Sequence, residues 1–179
     1  MIKLSAISNK QYFCSMTFPS EKINRVLLLA IACSLFFISC RQMDVFEKNA
    51  TIPNYKWDNK YKVTGTFIIS DTLAAYNIYI VLRHMDSYQY NNIWLNVGLQ
   101  GPGDTMYVQK IPLTLAVDDA KGWEGTGMDD IWEVRKLING QPRRFIKKGQ
   151  YNFSISQAMR DNPLPGIMNV GLRVEKAER

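Results

Sequence analysis

Met168-Asn-Val-Gly-Leu-Arg-Val-Glu175 alternates apolar and polar side chains without a break, and Tyr151-Asn-Phe-Ser-Ile-Ser156 does the same shortly before it. Successive side chains of a strand point to opposite faces, so this period of two puts Val170, Leu172 and Val174 on one side of a half-buried strand. The same signal recurs upstream. Tyr61, Val63, Phe67 and Ile69 share one face, with Thr64 and Thr66 on the other. Ile93, Leu95, Val97 and Leu99 alternate with Trp94, Asn96 and Gly98, whereas Asn77–Arg83 (NIYIVLR) is apolar on both faces, as a central strand would be. Gly101-Pro-Gly-Asp104 is a turn signal, and Met106–Leu115 is the return strand, interrupted by Pro112. Six or more short strands separated by turn residues predict an all-β fold: a single antiparallel β-sandwich, Ig-like or jelly-roll-like. Asp129–Ile138 reads equally as a strand or as a short helix capped by an aspartate, and Ser156–Arg160 as one helical turn before Pro163.

The amino-terminal region carries a different pattern. Val26–Ile38 is uncharged and mostly apolar, is preceded by Lys22 and Arg25, and is closed by Ser39-Cys40. A charged segment, an apolar segment and a small residue before cysteine make a secretory leader ending in a lipobox. A membrane-spanning helix needs about 20 apolar residues at about 1.5 Å each, and this run stops short of that before Arg41. Ordinary signal-peptidase cleavage after Ser39 is the other alternative. The expectation is a signal peptide over 1–39, with Met16 as a shorter start, and a Cys40 carrying diacylglycerol on its thiol and an acyl chain on its nitrogen. Residues 40–60 are expected as the lipidated terminus and a polar tether, with Pro53 and Trp57 as an alternative start of the fold, and 61–179 as the sandwich. Cys14 and Cys33 both precede the cleavage point, so the mature chain keeps Cys40 alone and has no disulfide, cysteine metal site or thiol nucleophile.

The formal charge is +6, but Lys3, Lys10, Lys22, Arg25 and Glu21 all belong to the leader; without them 18 basic groups face 15 acidic ones. Nothing in that balance points to nucleic acid. The strongest local excess is Arg143-Arg144-Phe-Ile-Lys147-Lys148, read as a solvated turn or as a contact with anionic head groups or an acidic partner. His84 is the sole histidine, expected on the surface or in a loop, so a histidine metal cluster is excluded and a triad could be built in one way only. No serine lies in a nucleophile elbow and no glycine-rich phosphate loop is present. Asp118-Asp119 and Asp129-Asp130 flank Gly122–Met128; acidic turns are the ordinary account, with calcium binding or glycosidase chemistry as alternatives. Trp57, Trp94, Trp123 and Trp132 suit a core or protein interface, or a sugar-stacking platform, and Tyr88-Gln-Tyr90-Asn-Asn92 reads as an exposed aromatic loop.

Several stretches together resemble the gliding-motility lipoprotein GldH family of Bacteroidetes. They are the leader with Ile52-Pro-Asn-Tyr-Lys-Trp57, Asp71-Thr72 with Tyr76-Asn77-Ile78-Tyr79, Leu82-Arg83, the Tyr88–Asn92 loop with Trp94-Leu95, and Gly122-Trp123 with Asp130-Ile131-Trp132. The match is most specific in Gly149–Arg160, Leu164-Pro-Gly-Ile167 and Val170–Lys176. The resemblance implies a membrane-anchored, non-enzymatic accessory protein of gliding motility and its associated secretion machinery, or of envelope assembly where the bacterium does not glide. It implies the cell envelope as location, with lipid anchorage expected in the outer membrane on its periplasmic or its surface face, an envelope protein complex as partner, no cofactor besides the acyl chains on Cys40, and no small-molecule substrate. Cys40 is the one functional position it transfers. A surface glycan-binding lipoprotein is the alternative, and a small envelope hydrolase a third reading. The docking face is expected to be aromatic with a basic rim, formed by Tyr88, Tyr90, Arg143 and Arg144.

Overall fold

The segments with a period of two become strands, and their apolar faces meet between two sheets. The computed structural model describes residues 45–117 and 122–177. The first sheet holds, in spatial order, β1 (Val45–Thr51), β12 (Ile167–Lys176), β4 (Ala75–Met85), β8 (Ile131–Leu137) and β7 (Thr126–Met128), with β9 (Arg143–Arg144) pairing β4 beyond β8. The second sheet has the order β3 (Val63–Ile69), β10 (Gly149–Gln157), β5 (Asn92–Gln100) and β6 (Tyr107–Thr114). A two-residue pair, β2 (Lys56–Trp57) with β11 (Leu164–Pro165), closes one end. Every pairing among the described residues is antiparallel. The fold is an all-β sandwich.

Aromatic rings join the two layers. Phe46 of β1 lies 5.7 Å from Phe67 of β3 and 6.2 Å from Phe153 of β10. Phe145 packs edge-on against Phe67, Tyr76 and Tyr151 at 5.8, 5.5 and 4.7 Å. Around them Ile80, Leu82, Ile93, Leu95, Ile155 and Leu172 are buried. Ring pairs at such spacings add about 0.5–1.5 kcal/mol each beyond the area they bury. One close approach depends on glycine: a Cβ at Gly65 would lie 2.5 Å from the Phe153 ring on the neighbouring strand.

Three local expectations are corrected and one open reading is resolved. Residues 41–60 are not all tether. From Val45 the chain is β1, paired with β12 from Val45↔Glu175 to Thr51↔Asn169, and Ile52 and Trp57 are fully buried. As an edge strand β1 needs few inward apolar residues, here Phe46 and Ala50, too sparse to show a period. Ser156–Arg160 forms no helical turn. β10 continues to Gln157, whose buried amide donates to the Asp161 carbonyl (3.0 Å) while its oxygen accepts from Met159 N–H (2.7 Å), so the side chain closes the bend. Within Asp129–Ile138, Ile131–Leu137 is strand β8, Asp129 at φ +53° turns β7 into it, and Ile138 opens a 3-10 turn. Tyr61 precedes β3 and is exposed; its carbonyl accepts the indole N–H of buried Trp57 at 2.9 Å. Pro112 is accommodated because β6 is an edge strand, where a missing N–H need not break a ladder.

Candidate interaction surfaces

Cys40, expected to carry the lipid, lies outside the described residues, as does Met16, the expected shorter start. The other four expected contact residues fall at opposite ends of the sandwich. Tyr88 and Tyr90 precede β5, beside the carboxyl end of β10, whereas Arg143 and Arg144 pair with Tyr76 and Ala75 at the start of β4, just before β10 begins. The nine residues of β10 separate the two ends by about 30 Å at about 3.3 Å per residue. One aromatic face with a basic rim is therefore not what these residues make.

At the tyrosine end the rings are committed to packing. Tyr88 is only 4 % exposed; its hydroxyl donates to the Asn92 carbonyl at 3.1 Å and burial pushes its phenol pKa up. It packs against Tyr90, His84 and Trp123 at 5.7, 5.7 and 6.3 Å, so Tyr88 belongs to a buried aromatic knot, while Gln89, Asn91 and Asn92 of the same loop stay exposed. Tyr90 is half-buried and donates to Asp161 at 2.5 Å, a hydrogen bond that raises its own pKa. His84, expected on the surface, is fully buried with Trp123 4.5 Å away. Its Nδ1 donates to the Met85 carbonyl at 3.0 Å, and its buried Nε2 has no hydrogen-bond partner among the described residues. Burial pulls its pKa below the usual histidine value, against the opposing pull of the Met85 carbonyl and the Asp86 charge. Asp86 seals the knot by accepting both the Trp123 and Trp132 indole N–H groups, at 2.8 and 3.2 Å. Trp94, at 39 % exposure, is the tryptophan left open to solvent, and Lys110 sits over its ring at 5.2 Å.

At the arginine end three connections meet: 70–74 between β3 and β4, 101–106 between β5 and β6, and 145–148 between β9 and β10. Arg143, Arg144, Lys147 and Lys148 are exposed there, with the Arg143 guanidinium 5.6 Å from the Phe145 ring. Sequence reasoning located this basic cluster but missed Leu73 and Ile146, which stand 82 % and 93 % exposed beside it. The signal for Ile146 was its place inside the basic run.

Between the open edges of the two sheets runs an apolar cleft of about 310 Å³, walled by Leu99, Tyr107 and Ile111 on one side and Ile78, Ile138 and Pro142 on the other. Its polar lining is Gln109, Gln141 and Arg143, with no carboxylate, histidine or cysteine among the described residues, which suits binding and supplies no acid–base pair. Asp129 and Asp130 are exposed in the β7–β8 turn, and no group of three potential metal ligands occurs among the described residues. No helix of the described residues is long and apolar enough to cross a membrane.

The family model for the GldH lipoprotein matches residues 44–174, which is nearly the whole described sandwich. The chain belongs to the GldH lipoprotein family. Among GldH relatives, the gliding motility lipoprotein GldH of Flavobacterium johnsoniae is 29 % identical over 164 residues, covering 88 % of this chain and 98 % of that one. The gliding motility lipoprotein GldH homolog of Christiangramia forsetii is 27 % identical over 151 residues, 80 % of this chain and 91 % of its own. Among solved structures, a GH115 4-O-methyl-alpha-glucuronidase aligns with this GldH-family chain at a TM-score of 0.33 and 10 % identity, covering 78 % of this chain and 18 % of the enzyme. A likeness at that level carries no argument about function.

Proposed function

We propose that the protein is a lipid-anchored accessory component of the gliding-motility machinery and its associated secretion apparatus, held in the outer membrane through acyl chains on Cys40 and acting by binding an envelope complex. In a bacterium that does not glide, the same role is envelope assembly. The observation that carries this reading is the family match over 44–174, reinforced by two relatives that bear gliding-motility names along most of their length. A non-catalytic role is supported by what became of the candidate groups. His84 is packed under Trp123, Asp129 and Asp130 serve a turn, and the cleft is lined by apolar and amide groups with Arg143 as its one charge among the described residues.

Anchoring gives the role its physical basis. One acyl chain binds a bilayer marginally and reversibly, whereas two or more make attachment stable. A domain held at the membrane meets a membrane partner at high effective concentration, so a weak docking face suffices. The test is metabolic labelling with palmitate. The wild type is expected to incorporate it and fractionate with the outer membrane, while Cys40→Ala accumulates as an unlabelled precursor. Labelling of the Cys40→Ala variant would overturn the anchor. Crosslinking followed by purification from detergent-solubilised envelopes is expected to recover a stoichiometric envelope protein; its absence would overturn the accessory role.

A further inference from the structure

The arginine end of the sandwich has the physical make-up of a membrane-resting surface, and the amino-terminal strand leaves the domain from that end. We propose that this end, through Leu73 and Ile146 ringed by Arg143, Arg144, Lys147 and Lys148, rests on an anionic lipid bilayer; the proposal relies on the anchoring of Cys40 argued above.

The first argument is reach. β1 runs from the arginine end toward the tyrosine end, because Val45 lies in the same row of the sheet as Glu175 and Asn77, one residue from the row holding Lys176, Tyr76 and Arg143. Four residues stand between Cys40 and Val45, so the two Cα atoms are at most about 18 Å apart when fully extended. The arginine end therefore lies within that short reach of the lipid. The tyrosine end, about 30 Å further along the strands, does not.

The second argument is that both apolar tips are held out by pinned loops. Phe145 is buried in the aromatic core, and the next residue, Ile146, is turned out to solvent. Leu73 rides on a turn closed by Asp71, whose carboxylate accepts from the Leu73 and Ala74 N–H groups at 2.9 and 3.3 Å and from Lys176 at 2.9 Å. The Asp71 carbonyl also accepts the Tyr76 hydroxyl at 2.9 Å. The paired residues Ala75 and Arg144 bring the two tips together, since Leu73 and Ile146 each stand two residues from that pair. Neither side chain serves the core.

The third argument is charge. The three connections and β9 carry four cations against Asp71 and Asp104, and both carboxylates are already engaged, Asp71 by Lys176 and Asp104 by Lys147 at 2.6 Å. With Lys147 spent on Asp104, the excess around the apolar tips is Arg143, Arg144 and Lys148. Each cation near an anionic leaflet is worth about fivefold in binding.

The experiment uses the full mature lipoprotein, its acylation verified by mass, reconstituted in phosphatidylcholine vesicles with and without phosphatidylglycerol. Single cysteines Leu73→Cys and Ile146→Cys, and Lys60→Cys in the turn before β3 at the opposite end, are labelled with an environment-sensitive fluorophore. Labels at 73 and 146 are expected to shift blue and to be quenched by spin-labelled lipid, more so with phosphatidylglycerol, while the label at 60 reads as in water. Arg144→Glu with Lys148→Glu, both exposed, is expected to lower quenching at 146 by at least about fivefold without moving the melting point. An acylated, vesicle-bound chain whose labels at 73 and 146 match that at 60 overturns the proposal and leaves the anchor standing. A chain without the acyl mass overturns the anchor itself. Protection of 73 and 146 in native envelopes but not on vesicles assigns the surface to a protein partner and overturns the lipid reading.

Discussion

His84 is the residue whose environment most sharply separates its chemistry from its type. Its Nδ1 hydrogen is spent on the Met85 carbonyl, so a second proton would have to sit on Nε2, buried against aromatic rings. Below about pH 6.5 the unfolded chain takes up that proton and the folded chain resists it. Stability is therefore expected to fall as pH drops from about 6.5, and to stop falling on this account once the folded-state pKa is passed. His84→Phe should remove the decline between pH 6.5 and 5 and cost no more than about 1 kcal/mol at pH 7.5, since it also removes an unpartnered polar atom. Melting curves at both pH values check this; an unchanged decline in the variant would refute the assignment. Gly65 makes a second case at this scale. Gly65→Val places methyl groups where the Phe153 ring lies and is expected to cost about 1–3 kcal/mol by overpacking, measured by urea unfolding.

Among the elements, β1 shows best what the sequence disclosed and what it withheld. β4, β5, β10 and β12 are paired on both sides, and their alternating or continuous apolar patterns made them legible. β1 covers an edge, with Glu47 bonded to Arg173 at 2.8 Å on its outer side, so its composition resembles a linker. The same reason hid the true end of β10: Gln157 is polar, yet buried, because three-dimensional contacts satisfy its amide. The candidate site was legible in its charges and illegible in its geometry. Arg143 and Arg144 announce themselves in sequence, but only pairing shows that they face away from Tyr88 and Tyr90. Phe46→Ala tests whether β1 belongs to the core. A half-buried phenylalanine should cost about 2 kcal/mol, below the ~3–5 kcal/mol of full burial, whereas a tether residue would cost nothing measurable in a thermal melt.

For the whole molecule, the aromatic core that joins the sheets implies one cooperative unit. Tryptophan fluorescence, which reports buried Trp57 together with Trp123 and Trp132 of the knot, and far-ultraviolet circular dichroism, which reports both sheets, are expected to give coincident unfolding transitions. Separate midpoints would mean that the sheets do not unfold together. Acid should bring a further loss. Hydrogen bonding from Arg173 holds the Glu47 carboxyl below its usual range, and Arg83 and Arg135 do so for Glu133 against the opposing effect of its partial burial. Their contribution is present above about pH 4.5 and disappears as pH falls through the lowered folded-state values. Glu47→Gln and Glu133→Gln together should shallow that acid limb.

The pairing of β1 with β12 also has a mechanical meaning. If the lipid holds the chain at Val45 and a moving partner pulls from the opposite end, tension runs along the strand axis while the ladder bonds lie across it. All seven paired positions then carry the load together, in shear, instead of opening one after another like a zipper. An anchor joined to the first strand in this way turns an edge of the sandwich into its strain-bearing seam.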